Sequence, residues 1–280
     1  MHLHLTTRAA AVAMATFALS TSAASAADVT GTDAHERLRG TSLADVINAG
    51  GGHDLLIGLA GDDTLSGEDG SDRIWAGPGN DTAHGGNGQD RIFLAEGNDT
   101  ATGDDGNDRI NGGLGDDNID LGNGNDRAAG GSGNDTIVGG DGNDRIYANA
   151  GADTVSGGNG NDDLWAMARV DATTDGNTTV DRLDGGDGND RFHVRDGEAD
   201  IITCGNGKDR VIADLQDVIA DATAENPAGS CERVERKAPK TKDDDGEPGA
   251  DDTTPSEPKV TIIKKKGKGK HGGTVVVIRV

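Results

Sequence analysis

Thirteen aspartates recur at intervals of nine: Asp54, Asp63, Asp72, Asp81, Asp90, Asp99, Asp108, Asp117, Asp126, Asp135, Asp144, Asp153 and Asp162. Each has a glycine two residues before it, from Gly52 to Gly160. Each has an apolar residue two after it, among them Leu56, Ile74, Ile92, Ile137, Val155 and Leu164. Between Gly and Asp the residue is most often Asn, as at Asn80, Asn107, Asn134 and Asn161. Gly and Asn tolerate positive φ and build tight turns. Such a turn directs backbone carbonyls toward one point, where the aspartate adds a carboxylate. An oxygen-only donor set suits a hard cation, and Ca²⁺ accepts 6–8 such ligands in flexible geometry.

The turns need elements to hold them in place. The triplet after each Asp alternates out, in and out as a strand, so only its middle residue is expected to face inward. One apolar side chain in nine is a thin core. Composition agrees: of 280 residues 46 are Gly, 2% are aromatic, and the formal net charge is −24. Low hydrophobicity with high charge leaves too little apolar burial to offset chain entropy. The chain is therefore either disordered or held by something other than a conventional core.

Glycine, aspartate and the apolar position keep phase over residues 49–165 and, loosely, over about 40–212. This pattern resembles the repeats-in-toxin (RTX), or hemolysin-type calcium-binding, family, whose nonapeptide forms a calcium-binding β-helix. The resemblance implies an all-β fold: a parallel β-roll in which each 18-residue coil contributes two strands and two turns, with calcium between equivalent turns of successive coils. It implies that Asp54 through Asp162 supply carboxylates while carbonyls of the same loops complete the shells. Sheet spacing makes the strict region roughly 30 Å long. After Trp165 the phase is lost over 166–180. It resumes with spacings of 19, 9, 10 and 9 linking Asp162, Asp181, Asp190, Asp200 and Asp209, which puts Asp190 and Asp209 in the ligand position. With the ion absent the aspartates repel and disorder is expected; with it, binding free energy becomes folding free energy.

A second period separates alternate repeats. Arg73, Arg91, Arg109, Arg127 and Arg145 follow every other Asp, with Thr64, Thr82, Thr100, Asn118, Thr136 and Thr154 between them. An 18-residue coil stacks each set on its own sheet. The Arg sheet also carries Trp75, Phe93, Tyr147 and Trp165. Aromatics and Arg are common interface anchors, so this face is a candidate surface for a glycan or an anionic wall polymer. The alternative is sheet decoration, with Arg offsetting the aspartate field and aromatics favouring strands. The Thr row suggests ice binding as a remote reading, although Asn118 breaks it.

The remaining segments frame the repeats. Residues 1–26 read as a secretory signal peptide, with an apolar run at 9–19 and Ala24-Ser25-Ala26 at the expected cleavage. Export and a secreted or cell-surface location follow as expectations, and no later run is apolar enough to form a transmembrane segment. Residues 27–48 form an N-terminal cap, 49–165 the regular roll, and 166–236 irregular repeats with a C-terminal cap. Residues 237–259 are a Pro/Asp/Thr-rich disordered linker, and 260–280 a basic, hairpin-like tail. The tail reads either as a polyanion or surface anchor or as a strand pair docking on the acidic roll. Cys204 and Cys231, an even pair in an exported chain, suggest a disulfide worth about 3–4 kcal/mol, with two free thiols as the alternative. There is no HExxH and no GxSxG, and the histidines are scattered, so an enzyme is not expected and a hydrolase is a remote alternative. Two readings stand: a structural or adhesive calcium-binding module, and a glycan or wall-polymer binder. No nucleic-acid partner is expected.

Overall fold

Because the apolar position recurs every nine residues and the outward residues alternate every 18, successive strands belong to opposite sheets. The computed structural model, which describes residues 25–167, 179–220, 230–237, 261–266 and 274–279, has that architecture. One sheet runs through Asp28–Thr30, Val46–Asn48, Thr64–Ser66, Thr82–Gly88, Thr100–Gly106, Asn118–Asp120, Thr136–Asp141, Thr154–Asn159, Arg182–Gly188, Ile201–Thr203 and Val218–Ile219. The other runs from Arg37–Arg39 and Leu55–Ile57 through Arg73–Pro78, Arg91–Glu96, Arg109–Leu114, Arg127–Ser132 and Arg145–Ala150 to Arg233–Arg236. Neighbours pair in parallel with an 18-residue offset, as in Ile74↔Ile92↔Ile110 and Thr82↔Thr100↔Asn118. The result is a two-sheet parallel β-solenoid. The strands of residues 28–48 already take regular places in both sheets.

The core is thicker than one side chain per nine, which corrects the sequence expectation. Strands such as Arg73–Pro78 extend past the triplet, and their burial alternates so that two positions face inward. The first column holds Leu56, Leu65, Ile74, Ile92, Ile119, Ile137, Ile146 and Leu164, all fully buried. The second column is most often Gly but holds Ala49, Ala76, Leu94, Leu121, Ala148, Ala166, Val194, Cys204 and Ala213, also buried. The glycines there are confined. A Cβ on Gly112 would lie 2.2 Å from an Asp117 carboxylate oxygen and 2.3 Å from the Gly130 carbonyl.

The phase break also begins later than the sequence suggests. Ala166 is buried within Asp163–Met167, because an alanine fits the second inward column, and that strand runs two residues past Trp165. On the far side Thr154 pairs with Arg182 and Leu164 with Phe192, so the extra residues are accommodated without disturbing register. Cys204 and Cys231 are disulfide-bonded and buried, tying the last coils together. Thr261–Lys266 and Thr274–Arg279 form a separate antiparallel pair. The expected signal peptide up to residue 24 and the linker over 238–259 lie outside the described residues. No helix among those residues is long and apolar enough to cross a membrane.

Candidate metal centres

At each turn the chain passes from one sheet to the other, and the 18-residue coil stacks equivalent turns directly. This builds two files of carboxylates. In one, the Asp54 N–H donates to Oδ1 of Asp72 at 2.6 Å, and the pattern repeats through Asp90, Asp108, Asp126, Asp144, Asp162, Asp190 and Asp209 at 2.7–2.9 Å. The other runs from Asp45 through Asp63, Asp81, Asp99, Asp117, Asp135, Asp153, Asp181 and Asp200 to Asp217. Glu36 and Glu232 close the first file: the Glu36 N–H donates to Asp54, and Glu232 accepts from the Asp209 N–H. A second set of rungs points the opposite way. Oδ1 of Asn107 accepts the Asn125 N–H, and Asn125, Asn143, Asn161 and Asn189 continue the file toward Lys208. Where Asn precedes the ladder Asp, its side chain therefore satisfies a turn N–H of the next coil, which explains its frequency.

Every ladder aspartate is buried. The second oxygen of Asp54, Asp63, Asp72, Asp81, Asp90, Asp99, Asp108, Asp117, Asp126, Asp135, Asp144, Asp162, Asp190, Asp200 and Asp209 is buried with no hydrogen-bond partner. A buried anionic oxygen without a partner is costly and calls for a cation or a proton. From Asp72 on, burial lifts the carboxyls first and the N–H of the preceding coil opposes it; at Asp72, Asp81, Asp90, Asp99, Asp108, Asp117, Asp135, Asp144 and Asp190 neighbouring aspartates add to the rise. Asp72, Asp90, Asp99, Asp126, Asp135 and Asp162 are pushed up to about 6, and Asp81, Asp108, Asp117, Asp144 and Asp190 to about 7. Asp63 and Asp209 are raised as well, by the same leading cause.

Backbone oxygen surrounds these carboxylates. At Gly124 (φ +154°) the Gly106 carbonyl oxygen lies 1.4 Å, and Asp126 Oδ1 2.8 Å, from where a Cβ would sit; Gly88 and Gly160 face the carbonyls of Gly70 and Gly142 in the same way. Only glycine allows this approach. Among the described residues no three His, Cys, Asp or Glu side chains converge to form a metal cage. The files offer instead one carboxylate per turn per coil, flanked by carbonyls; nitrogen donors stand beside them only in the first coils, where the His35 and His53 imidazoles already accept turn N–H groups. That donor set fits a hard cation taking much of its shell from backbone oxygen, as Ca²⁺ does.

Asp45, Asp181, Asp200 and Asp217 stand in the files although they lack the preceding glycine; Leu43, Thr179, Glu198 and Leu215 take its place. A frame stepped on Asp and the apolar residue alone would reach Asp45. Asp181 and Asp200 already fall in the resumed spacing, and the pairing Ile201↔Val218 places Asp217. Asp163 differs from all of these. It sits on the outer face of the Arg sheet, where burial is outweighed by His193 and Arg145, and its carboxyl is held below the usual range.

Arg73, Arg91, Arg109, Arg127 and Arg145 are cross-strand neighbours in a single row. The column two residues on carries Trp75 beside Phe93 and, after Asn111 and Ala129, Tyr147 beside Trp165. Thr82, Thr100, Asn118 and Thr136 line the opposite sheet. Sequence comparison identifies the repeat. The family profile described as RTX calcium-binding nonapeptide repeat (4 copies) matches residues 30–65, 57–92, 66–101, 95–128, 129–164 and 175–211. No curated protein matches the chain.

Proposed function

This chain belongs to the RTX calcium-binding nonapeptide repeat family, and from that premise we propose that it is an exported module whose roll forms as calcium binds outside the cytoplasm. It then serves as a structural or adhesive element at a cell surface. The observation that carries the reading is the file of buried carboxylate oxygens without partners. Asp54 through Asp162, with Asp190 and Asp209, would hold the ions together with turn carbonyls. Calcium supplies the positive charge that lets stacked carboxylates share a dry interior. Ions bound only by the stacked coils couple metal affinity to folding. Extracellular calcium modules bind at roughly 10⁻⁴–10⁻³ M, far above cytosolic levels, so a chain of this kind stays unfolded until export. The apolar run ahead of Ala24-Ser25-Ala26 supports that route.

Circular dichroism during calcium titration of chelator-treated protein, with calorimetry for stoichiometry, tests this. A cooperative gain of β signal with uptake of several ions is expected. A chain already fully β-structured in chelator that takes up no calcium would overturn the proposal.

A further inference from the structure

In a parallel sheet, residues in register stand roughly 4.8 Å apart. Five consecutive arginines in one such row repel one another, and like charges directly opposite destabilise a sheet. The equivalent row of the other sheet is neutral, with Thr82, Thr100, Asn118 and Thr136. Asp163 interrupts the row, binding Arg145 at 3.2 Å and His193 at 2.9 Å, before Arg191, Arg210 and Arg233 continue it. Among the described residues Arg73, Arg91, Arg109 and Arg127 make no ion pair, and all four are exposed. A groove of about 260 Å³ runs beside Arg91, Arg109 and Arg127, lined also by Gln89, Asn107 and Asn125 and by Asp90 and Asp108. On the other side lies the aromatic column. Trp75 and Phe93 sit at one end with ring centroids 6.5 Å apart. At the other end Tyr147, Trp165 and His193 form a continuous stack at 5.8 and 3.7 Å. Asn111 and Ala129 leave a low step between the two groups. The indole N–H of Trp75 is buried with no acceptor.

We propose that this face binds a linear anionic polysaccharide laid along the roll axis, its carboxylates on the arginine row and its sugar rings against the aromatic groups. Each part of the face matches part of that ligand. Arg holds a carboxylate through two parallel N–H donors. Amides meet hydroxyls. Trp and Tyr present an apolar face with a polar edge, which suits the C–H face of a pyranose. An extended β-linked sugar chain advances by close to one coil per residue, so a straight row is met in step. A helically wound phosphate backbone would meet it only at intervals. The proposal rests on the calcium reading, because Asp90 and Asp108 border the same groove. With a chain charge of −24, a polyanion approaches only once the files are neutralised.

The test uses the full calcium-loaded chain and three probes: hyaluronan, a β-linked polymer in which uronate alternates with N-acetylglucosamine, so that its carboxylates meet alternate arginines; its carboxyl-reduced, neutral form; and polyphosphate. Binding is followed by calorimetry and tryptophan fluorescence, with circular dichroism on the same samples. Hyaluronan should bind and shift the fluorescence. Arg91→Gln/Arg109→Gln/Arg127→Gln should weaken it at least about tenfold, and Arg109→Glu alone should weaken it several-fold. Thr82→Gln/Thr100→Gln/Thr136→Gln on the opposite sheet should leave it unchanged. The reduced polymer should not bind. Normal affinity in both arginine variants, or no binding of hyaluronan by a calcium-folded chain, overturns the proposal. Equally tight polyphosphate binding without a fluorescence change also overturns it, in favour of charge alone. A chain that gains no structure from calcium defeats the calcium reading instead, and the circular dichroism separates that failure from this one.

Discussion

Between Asp81 and Asp162 the second inward column is Gly85, Gly103, Gly112, Gly130, Gly139 and Gly157, relieved by Leu94, Leu121 and Ala148. Beyond Arg191 the same column holds Val194, Cys204 and Ala213, the first column brings Phe192, Ile202 and Val211, and the Cys204–Cys231 bond crosses the end. Burying Phe192 alone contributes roughly 1.5–3 kcal/mol. The middle coils have few such side chains, and each brings two buried carboxylates. One roll therefore contains two sources of cohesion: hydrogen-bonded rungs suited to cations, which continue through Asp200, Asp209 and Asp217, and, beyond Arg191, a fuller apolar core with a cross-link added to them. The difference shows that glycine in the wall brings carbonyls and carboxylates close at the expense of core.

Chelation breaks the comparison most strongly. With calcium withdrawn, amide exchange in Arg73–Pro78 through Thr154–Asn159 should accelerate by more than about 10³-fold, while Arg191–Val194 and Arg210–Ala213 keep residual protection. Equal loss in both regions would mean that the cap has no cohesion of its own.

Acid should partly reverse that loss. The middle-coil carboxyls from Asp72 through Asp144, with Asp162, bind protons more tightly folded, at about 6–7, than unfolded near 3.9. A raised folded value means that the metal-free roll is favoured most below about pH 4 and loses stability as pH climbs through 6–7. In chelator, lowering pH from 7.5 to 4.5 should therefore restore β signal, first in the middle coils. In calcium the direction reverses, because protons compete with the ion. Metal-free protein that loses structure on acidification would contradict the carboxylate files as the source of instability.

Much of this architecture is legible in the sequence. The nine-residue step placed both sheets, and the residue after Asp separated the arginine row from the threonine row. The second inward column was not legible, because Gly112 and Gly130 read as turn residues while sitting in strands. Asp45 escaped because the frame demanded glycine where Leu43 stands. Asp181 and Asp200 stand in the resumed spacing but without the glycine that marks a ligand turn, and Asp217 lies beyond it; the chain between Met167 and Asp181 has no period, so their places in the file depend on pairing such as Thr154↔Arg182 and Ile201↔Val218. Hydrogen-bond direction, Asp toward one end and Asn toward the other, belongs to the stacked turns and has no trace in composition.

Removing the disulfide is the next smaller effect. Cys204→Ser/Cys231→Ser should cost about 3–4 kcal/mol by loop entropy. The loss should be confined to exchange and proteolysis beyond Arg191, with calcium uptake by the middle coils unchanged. Destabilisation spread evenly along the chain would make the roll one cooperative unit and erase the distinction between its regions.

The smallest effect probes the middle coils' dependence on glycine. Ala95 pairs with Gly77 on one side and Gly113 on the other, and all three have positive φ, near +94°, +118° and +114°. An alanine there carries strain that its glycine neighbours avoid, and relief outweighs the extra freedom glycine gives the unfolded chain. Ala95→Gly in calcium should therefore stabilise the roll by about 0.5–1 kcal/mol, seen as a higher Tm. Gly113→Ala should do the opposite and by more, because its Cβ would lie 2.1 Å from the Ala95 carbonyl oxygen. If the two substitutions had equal and small effects, backbone approach would not be what selects glycine. The thin core of the middle coils would then need a cause other than the close packing of oxygen around a cation.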